Sequence, residues 1–242
     1  FDYGNNKDDL THKRITSYFD KFFYISDLSD KKISELSREN KIDIAIHRNG
    51  YSQNSRTNIF SYRTAPIQIS FLGYPGTLGL NYIDYIIADK IVIPEENNVF
   101  FSEKIIYLPD TYYPTFNERK IANLSLTRKD LGISKDSFVM CCFNNSYKIS
   151  PVEFDIWMKV LKKIEDSYLI LLADNSNTIE NLLEEAKKRN VDSNQIKFFN
   201  YIKIDEHLSR HQIGDLYLDT FNYNGHTSVV DSLWSGLPVI TK

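Results

Sequence analysis

"SFVMCCFNNSYKISPVEFDIWMKVLKKI", running from Ser137 to Ile164, decides the fold. Ser137–Phe143 is a short, largely apolar run of strand length, and the polar turn Asn144–Lys148 follows it. Ser150 and Glu153 have the spacing of a capping box, and Pro151 stands at the first helical position. Phe154, Trp157, Met158 and Leu161 then recur at helical spacing, which predicts a helix over Ser150–Ile164 with one apolar face. Toward the C-terminus the alternation continues. Strands are expected at Ser167–Leu172, Gln195–Phe199, Asp215–Asp219 and Pro238–Thr241, and helices at Asn177–Arg189, Asp205–Gln212 and Thr227–Ser235, the last ended by Gly236. Short apolar strands alternating with amphipathic helices imply an α/β fold with a parallel, doubly wound sheet.

Toward the N-terminus the pattern is less regular. Helical spacing predicts helices over Leu10–Phe23 and Asp30–Asn40, and short apolar runs predict strands at Ile42–Ile46, Pro66–Leu72, Tyr85–Ala88 and Ile105–Leu108. A polar connector around Asn117–Asn123 separates the two parts, and there is no repeat period.

The 242 residues, 42% hydrophobic and 25% charged, suit one large or two compact globular domains. Lys+Arg 29 against Asp+Glu 32 leaves a net charge of −3, which does not suggest a nucleic-acid partner. The two cysteines, Cys141 and Cys142, fit neither a disulfide framework nor a zinc site, and a cytoplasmic, reducing location is expected. No apolar stretch reaches the ~20 residues of a membrane span. Starting at Phe1 and ending at Lys242 after a strand-like run, the chain reads as a fragment.

In doubly wound sheets ligands bind outside the carboxyl ends of the strands. Three polar clusters fall there: Asn144–Lys148, Ile204–Arg210 and Tyr223–Ser228. In the third, His226, Thr227 and Ser228 open a helix, whose unpaired N–H groups and dipole suit an anion such as phosphate. Blander readings stay open for each cluster. Asn144, Asn145 and Ser146 also suit a plain turn, Lys148 a solvated surface, His207 a packed position, and Arg210 a partner of a helix C-terminus. Ser228 and Asp231 have capping-box spacing without any ligand. There is no P-loop, and "GYPGTLG" at Gly73–Gly79 lacks the spacing of the dinucleotide fingerprint. Metal-ligand spacing and the G-x-S-x-G elbow are also missing, and NAD enzymes, P-loop kinases and serine hydrolases are disfavoured.

Several stretches, in order, resemble a known family: "NGYSQNSRTNIFSYRTAPIQISFLGYPGTLGLNYIDYIIAD" (Asn49–Asp89), "SEKIIYLPDTYYP" (Ser102–Pro114), "FNNSYKISP" (Phe143–Pro151), "DEHLSRHQIGDLYLDTF" (Asp205–Phe221) and "YNGHTSVVDSLWSGLPVIT" (Tyr223–Thr241). They are similar to the catalytic region of the O-linked N-acetylglucosamine transferases, most of all to bacterial, tetratricopeptide-linked homologues. The resemblance implies a GT-B fold, two Rossmann-like lobes facing across a cleft, both incomplete here: residues 1–119 for the N-terminal lobe and 120–242 for the nucleotide-sugar-binding lobe. It implies an inverting transfer of N-acetylglucosamine from UDP-GlcNAc to Ser or Thr of an acceptor protein or peptide, with no metal and no cofactor beyond the donor.

By the same resemblance, Lys148 faces the diphosphate and Asn145 stands where relatives often carry glutamine. His207 and Arg210 meet the uracil, His226, Thr227 and Ser228 cradle the diphosphate, and Asp231 takes the ribose hydroxyls. Gly73, Tyr74 and Pro75 resemble a loop near the transferred sugar. Arg56 is expected either on the acceptor or sugar side or in a structural ion pair, and His47, at a strand end, either as a general base or as an ordinary loop histidine. Tyr223 stands where animal members carry a smaller residue beside the sugar. Competing readings are a protein N-glucosyltransferase or O-fucosyltransferase of the same fold, or a non-catalytic module that binds nucleotide or partner proteins.

Overall fold

Contacts divide the chain into two units, Phe1–Pro114 and Thr115–Lys242. The computed structural model describes residues 1–3, 10–123, 126–173 and 175–242.

The first unit opens with α1 (Leu10–Thr16) and α2 (Asp30–Glu39), then runs β1 (Ile44–His47), α3 (Asn58–Ser61), β2 (Ile67–Phe71), β3 (Tyr85–Ala88) and β4 (Lys104–Tyr107). Its strands are all parallel in the order β1-β2-β3-β4, with Ile46 beside Ile69 and Ile86 beside Ile105. Ile33, Ala45, Ile59, Phe60, Leu78 and Ile83 fill its core. α1 stops well before the expected Phe23. The hydroxyls of Thr16 and Ser17 turn back to the carbonyls of Lys13 and Arg14, 2.9 and 2.7 Å away, offering the backbone an alternative to further helix. Tyr18 and Phe19 beyond it are exposed.

The second unit follows the predicted alternation: β5 (Phe138–Cys142), α4 (Pro151–Lys163), β6 (Ser167–Leu172), α5 (Ser176–Lys188), β7 (Ile196–Phe199), α6 (Ile204–Arg210), β8 (Leu216–Leu218), α7 (Thr227–Trp234) and β9 (Val239–Ile240). The capping box of α4 forms, with Glu153 accepting from the Ser150 N–H at 2.8 Å and from its hydroxyl. Asn175 caps α5 by accepting from the Thr178 N–H at 2.8 Å.

All five strands are parallel, in the order β7-β6-β5-β8-β9. The chain winds outward from β5 in one direction, then returns past β5 to lay β8 on its other side. Cys142, Leu169 and Leu171 face Phe154, Trp157, Met158 and Leu161 of α4, while Cys141 and Ile170 face Ile133, Ile213 and Leu237 on the opposite layer. Each fully buried aliphatic side chain here contributes roughly 1.5–3 kcal/mol. Both thiols are free, and burial pushes both upward, that of Cys142 to about 12.

Candidate active site

Because the winding reverses between β5 and β8, the loops leaving their carboxyl ends diverge and open a crevice. A cavity of about 430 Å³ lies there, and Asn144, Asn145, Lys148, His207, Arg210, His226, Thr227, Ser228 and Asp231 all line it. The three polar clusters predicted to share one rim do so.

On the β5 side, Asn144 is buried, and its amide donates to Asp219 Oδ1 and Thr220 Oγ1, each at 2.9 Å. Asn145 bonds Tyr201 (2.6 Å) and Tyr147 (3.1 Å) along the rim. A single 3-10 turn, Ser146–Lys148, carries the ammonium of Lys148 to the other loop. There it donates to the Asn224 carbonyl at 3.3 Å and sits 4.6 Å from the centre of the Tyr223 ring, a cation–π arrangement. Tyr223 in turn stacks on His226, with ring centres 5.5 Å apart and planes 16° apart. Lys148 and His226 therefore both contact one aromatic ring at the mouth of α7.

His226 is the N-cap of α7 and makes no side-chain cap bond, so the first N–H groups of the helix are not closed off by that ring. Burial and the nearby Lys148 charge lower its pKa, while Asp219 raises it. Thr227 is exposed at the first helical position. Ser228 is not the cap that the Ser228–Asp231 spacing allowed. It lies inside the helix, and its hydroxyl donates to Asn144 Oδ1. Gly225, just ahead of the cap, packs so closely that a Cβ there would lie 2.7 Å from Asn144 Oδ1 and nearer still to Ser228.

At the other end of the cavity, Asp231 is buried and paired with Arg119, and its second oxygen lies 3.8 Å from His207 Nε2. Burial pushes the Asp231 carboxyl above its usual range, and Arg119 pulls it back. Burial, reinforced by the charges of Arg210 and Arg119 and by His211, lowers the His207 pKa to about 3. The contact with Asp231 therefore involves a neutral ring. Arg210 is also buried, donates to the Asn200 carbonyl at 2.7 Å and stacks on Phe143 and Phe199 at 5.0 and 5.2 Å. Burial lowers it to about 10, still charged at neutral pH. Behind it His211 anchors Nδ1 on the His207 carbonyl at 2.7 Å and is held near 4 by burial.

The remaining candidates belong to the first unit. Gly73 follows β2 so tightly against β1's exit that a Cβ would collide with the Arg48 carbonyl, and Tyr74 packs edge-on to Tyr51 at 5.8 Å, with Pro75 half-buried beside it. Arg56 is engaged by Asp30 at 2.5 Å and by the carbonyls of Ile25 and Leu28 at 3.2 and 2.7 Å, the structural ion pair of the two readings left open for it. His47 is buried, bonded through Nε2 to Thr57 Oγ1 at 3.1 Å and packed on Phe60, and burial lowers it to about 4.

The family model of glycosyl transferase family 41 matches residues 1–124 and 114–242. The chain belongs to glycosyl transferase family 41. An Arabidopsis thaliana relative, SEC, named a probable UDP-N-acetylglucosamine-peptide N-acetylglucosaminyltransferase, is 35% identical over 248 residues, covering 100% of this chain and 25% of its own length. A mutant of the Thermobaculum terrenum O-GlcNAc transferase superposes with a TM-score of 0.88 at 25% identity, over 96% of this chain and 44% of that one. A pneumococcal O-GlcNAc transferase solved with UDP and GlcNAc shares the fold alone, with a TM-score of 0.51 at 15% identity over 92% of this chain and 46% of that one. The fold class is thus α/β of the GT-B type, and the chain spans about a quarter of the length of the curated relatives it matches.

Two residues of this family-41 chain that sequence reasoning did not single out, and a third that it read in another role, shape the site. Arg119 reaches Asp231 from the connector, and no local pattern joins residues so far apart. Asp219, at the end of β8, reads in sequence as an ordinary strand-end turn residue, yet it accepts four hydrogen bonds. Tyr223, which the sequence marks for its size beside the sugar, is the ring that both Lys148 and His226 contact. Among the described residues, no group of three or more His, Cys, Asp or Glu is placed to hold a metal ion. No helix among them is long and apolar enough to cross a membrane.

Proposed function

We propose that this chain is the donor-binding and catalytic region of an inverting glycosyltransferase that moves N-acetylglucosamine from UDP-GlcNAc to Ser or Thr hydroxyls of proteins. One observation carries the reading: the Lys148 ammonium and the N-terminus of α7 converge at a switch-point crevice. In the transfer, the acceptor hydroxyl gives its proton to a general base or a phosphate oxygen as its oxygen bonds to the anomeric carbon and the bond to the diphosphate breaks, so negative charge grows on the leaving phosphate. Lys148, the N–H groups around Thr227 and the His226 ring face that charge, without a metal in this reading. Losing one such preorganised donor typically costs about 2.7–4 kcal/mol of barrier. Ser228 acts from behind, through Asn144.

At the far end, Asp231 offers carboxylate lone pairs to the ribose hydroxyls while Arg119 steadies its charge. His207 and Arg210 present a neutral ring and a stacked guanidinium to the base. Asn145 borders the nucleotide. A cytoplasmic location belongs to the same reading and is supported by two free buried thiols.

Calorimetric titration of UDP against GDP tests it. UDP binds and GDP does not, Lys148→Ala weakens UDP by about ten- to a hundredfold, and Asp231→Ala weakens both UDP and uridine. Indifference to both nucleotides would overturn the reading in favour of a non-catalytic module, and a preference for GDP would favour fucosyl transfer.

A further inference from the structure

We infer that Asp219 is the positioning residue of this site: a buried carboxylate that latches the loop after β5, the turn before α7 and the end of β9 into one rigid diphosphate cradle. The inference rests on the donor-binding reading above and adds a residue that touches no substrate. Asp219 is 3% exposed. Its Oδ1 accepts from the Gly225 N–H at 2.7 Å, the Thr220 N–H at 2.9 Å and the Asn144 amide at 2.9 Å, and its Oδ2 accepts from the Thr241 hydroxyl at 2.7 Å.

Those four donors come from three separate stretches of chain. The Gly225 bond fixes the residue immediately before the α7 cap, and hence the direction in which the first N–H groups of the helix point. Through Asn144 the latch continues. With its amide nitrogen held by Asp219, Asn144 must turn its oxygen toward Ser228, whose hydroxyl bonds it. The loop that carries Lys148 is thereby tied to the second residue of α7. Preorganised donors stabilise developing charge only if they need not move during the reaction. An acceptor-only carboxylate suits this place because every group aimed at it is a donor, and its four bonds offset the cost of burying its charge.

The test separates the diphosphate end from the nucleoside end by comparing affinities for UDP and uridine, measured calorimetrically. In Asp219→Ala the preference for UDP over uridine falls by at least about tenfold, while uridine affinity stays within about twofold of the unsubstituted chain. Asp219→Asn keeps an acceptor oxygen for the two N–H groups and turns its amide to Thr241, so it recovers most of that preference. Asn144→Ala, which cuts the latch from the other loop, reproduces the loss and serves if Asp219→Ala does not fold. An unchanged UDP preference in Asp219→Ala and Asn144→Ala overturns the inference, as does an equal loss of both ligands. If the unsubstituted chain binds no UDP, the donor-binding reading itself fails, and the latch with it.

Discussion

Two parallel sheets in one chain, one of four strands and one of five, differ in how they wind. In the first unit the strands step across in the order β1-β2-β3-β4 without turning back, whereas in the second the order β7-β6-β5-β8-β9 reverses at β5. The polar residues behave accordingly. His47 and Arg56 of the first unit line a cavity of about 670 Å³ but are tied back to Thr57, Asp30 and backbone carbonyls, while Lys148, His226 and Asp231 of the second line a cavity of about 430 Å³ at the carboxyl ends of β5 and β8. Where the winding doubles back, residues from three loops converge on one rim; where it runs on, His47 and Arg56 are held by partners of their own unit.

The most severe way to break this contrast is Arg119→Ala, which leaves the buried Asp231 carboxylate without its partner. A loss of about 3–5 kcal/mol is expected from urea unfolding of the second unit, and Asp231→Asn combined with Arg119→Ala should restore part of it. Next comes the centre of the second sheet. Ile170→Ala, at a fully buried position, should cost about 2–5 kcal/mol, whereas Ile46→Ala on the open edge of the first, 53% exposed, should stay within about 0.5 kcal/mol. Equal effects would erase the distinction between a strand covered on both faces and one with an exposed face.

Acid sharpens the comparison further. His207 and His211 in the second unit, at about 3 and 4, and His47 in the first, at about 4, all lie below the ordinary value near 6.5. Between those limits the unfolded chain binds more protons than the folded one, so stability is complete above about pH 6.5 and declines as the pH falls. Thermal midpoints between pH 7 and 5 should therefore drop, the second unit ahead of the first, and His211→Phe should flatten the drop in the second unit only. The smallest effect is expected for His47→Gln. UDP titration should show no change, because that ring is buried and already bonded to Thr57.

Much of this was legible in the sequence where the signal is local. The β5–α4 stretch announced itself through an apolar run, a capping box and a helical stripe, and all three took the expected form. The polar clusters at strand ends were legible because doubly wound sheets place such ends together. Legibility failed where partners are distant or a pattern has two meanings. Ser228 and Asp231 match a capping box in spacing, yet one is drawn to Asn144 and the other to Arg119, contacts that exist only after the sheet has closed. Apolar spacing carried the helix at Leu10 too far, since the side-chain hydroxyls of Thr16 and Ser17 ended it first. Asp219 was invisible because a carboxylate at a strand end looks the same whether it bonds water or four donors.

Cys141 and Cys142 are neighbours in sequence, but their sulfurs sit in different halves of the interior, one under α4 and the other beneath Ile213 and Leu237. With both thiols protonated and sealed from solvent, an alkylating reagent can reach each only when its own covering layer lifts. Mass spectrometry of one tryptic peptide would then time the breathing of the two sides of the central strand independently, a built-in pair of clocks for which no label need be engineered.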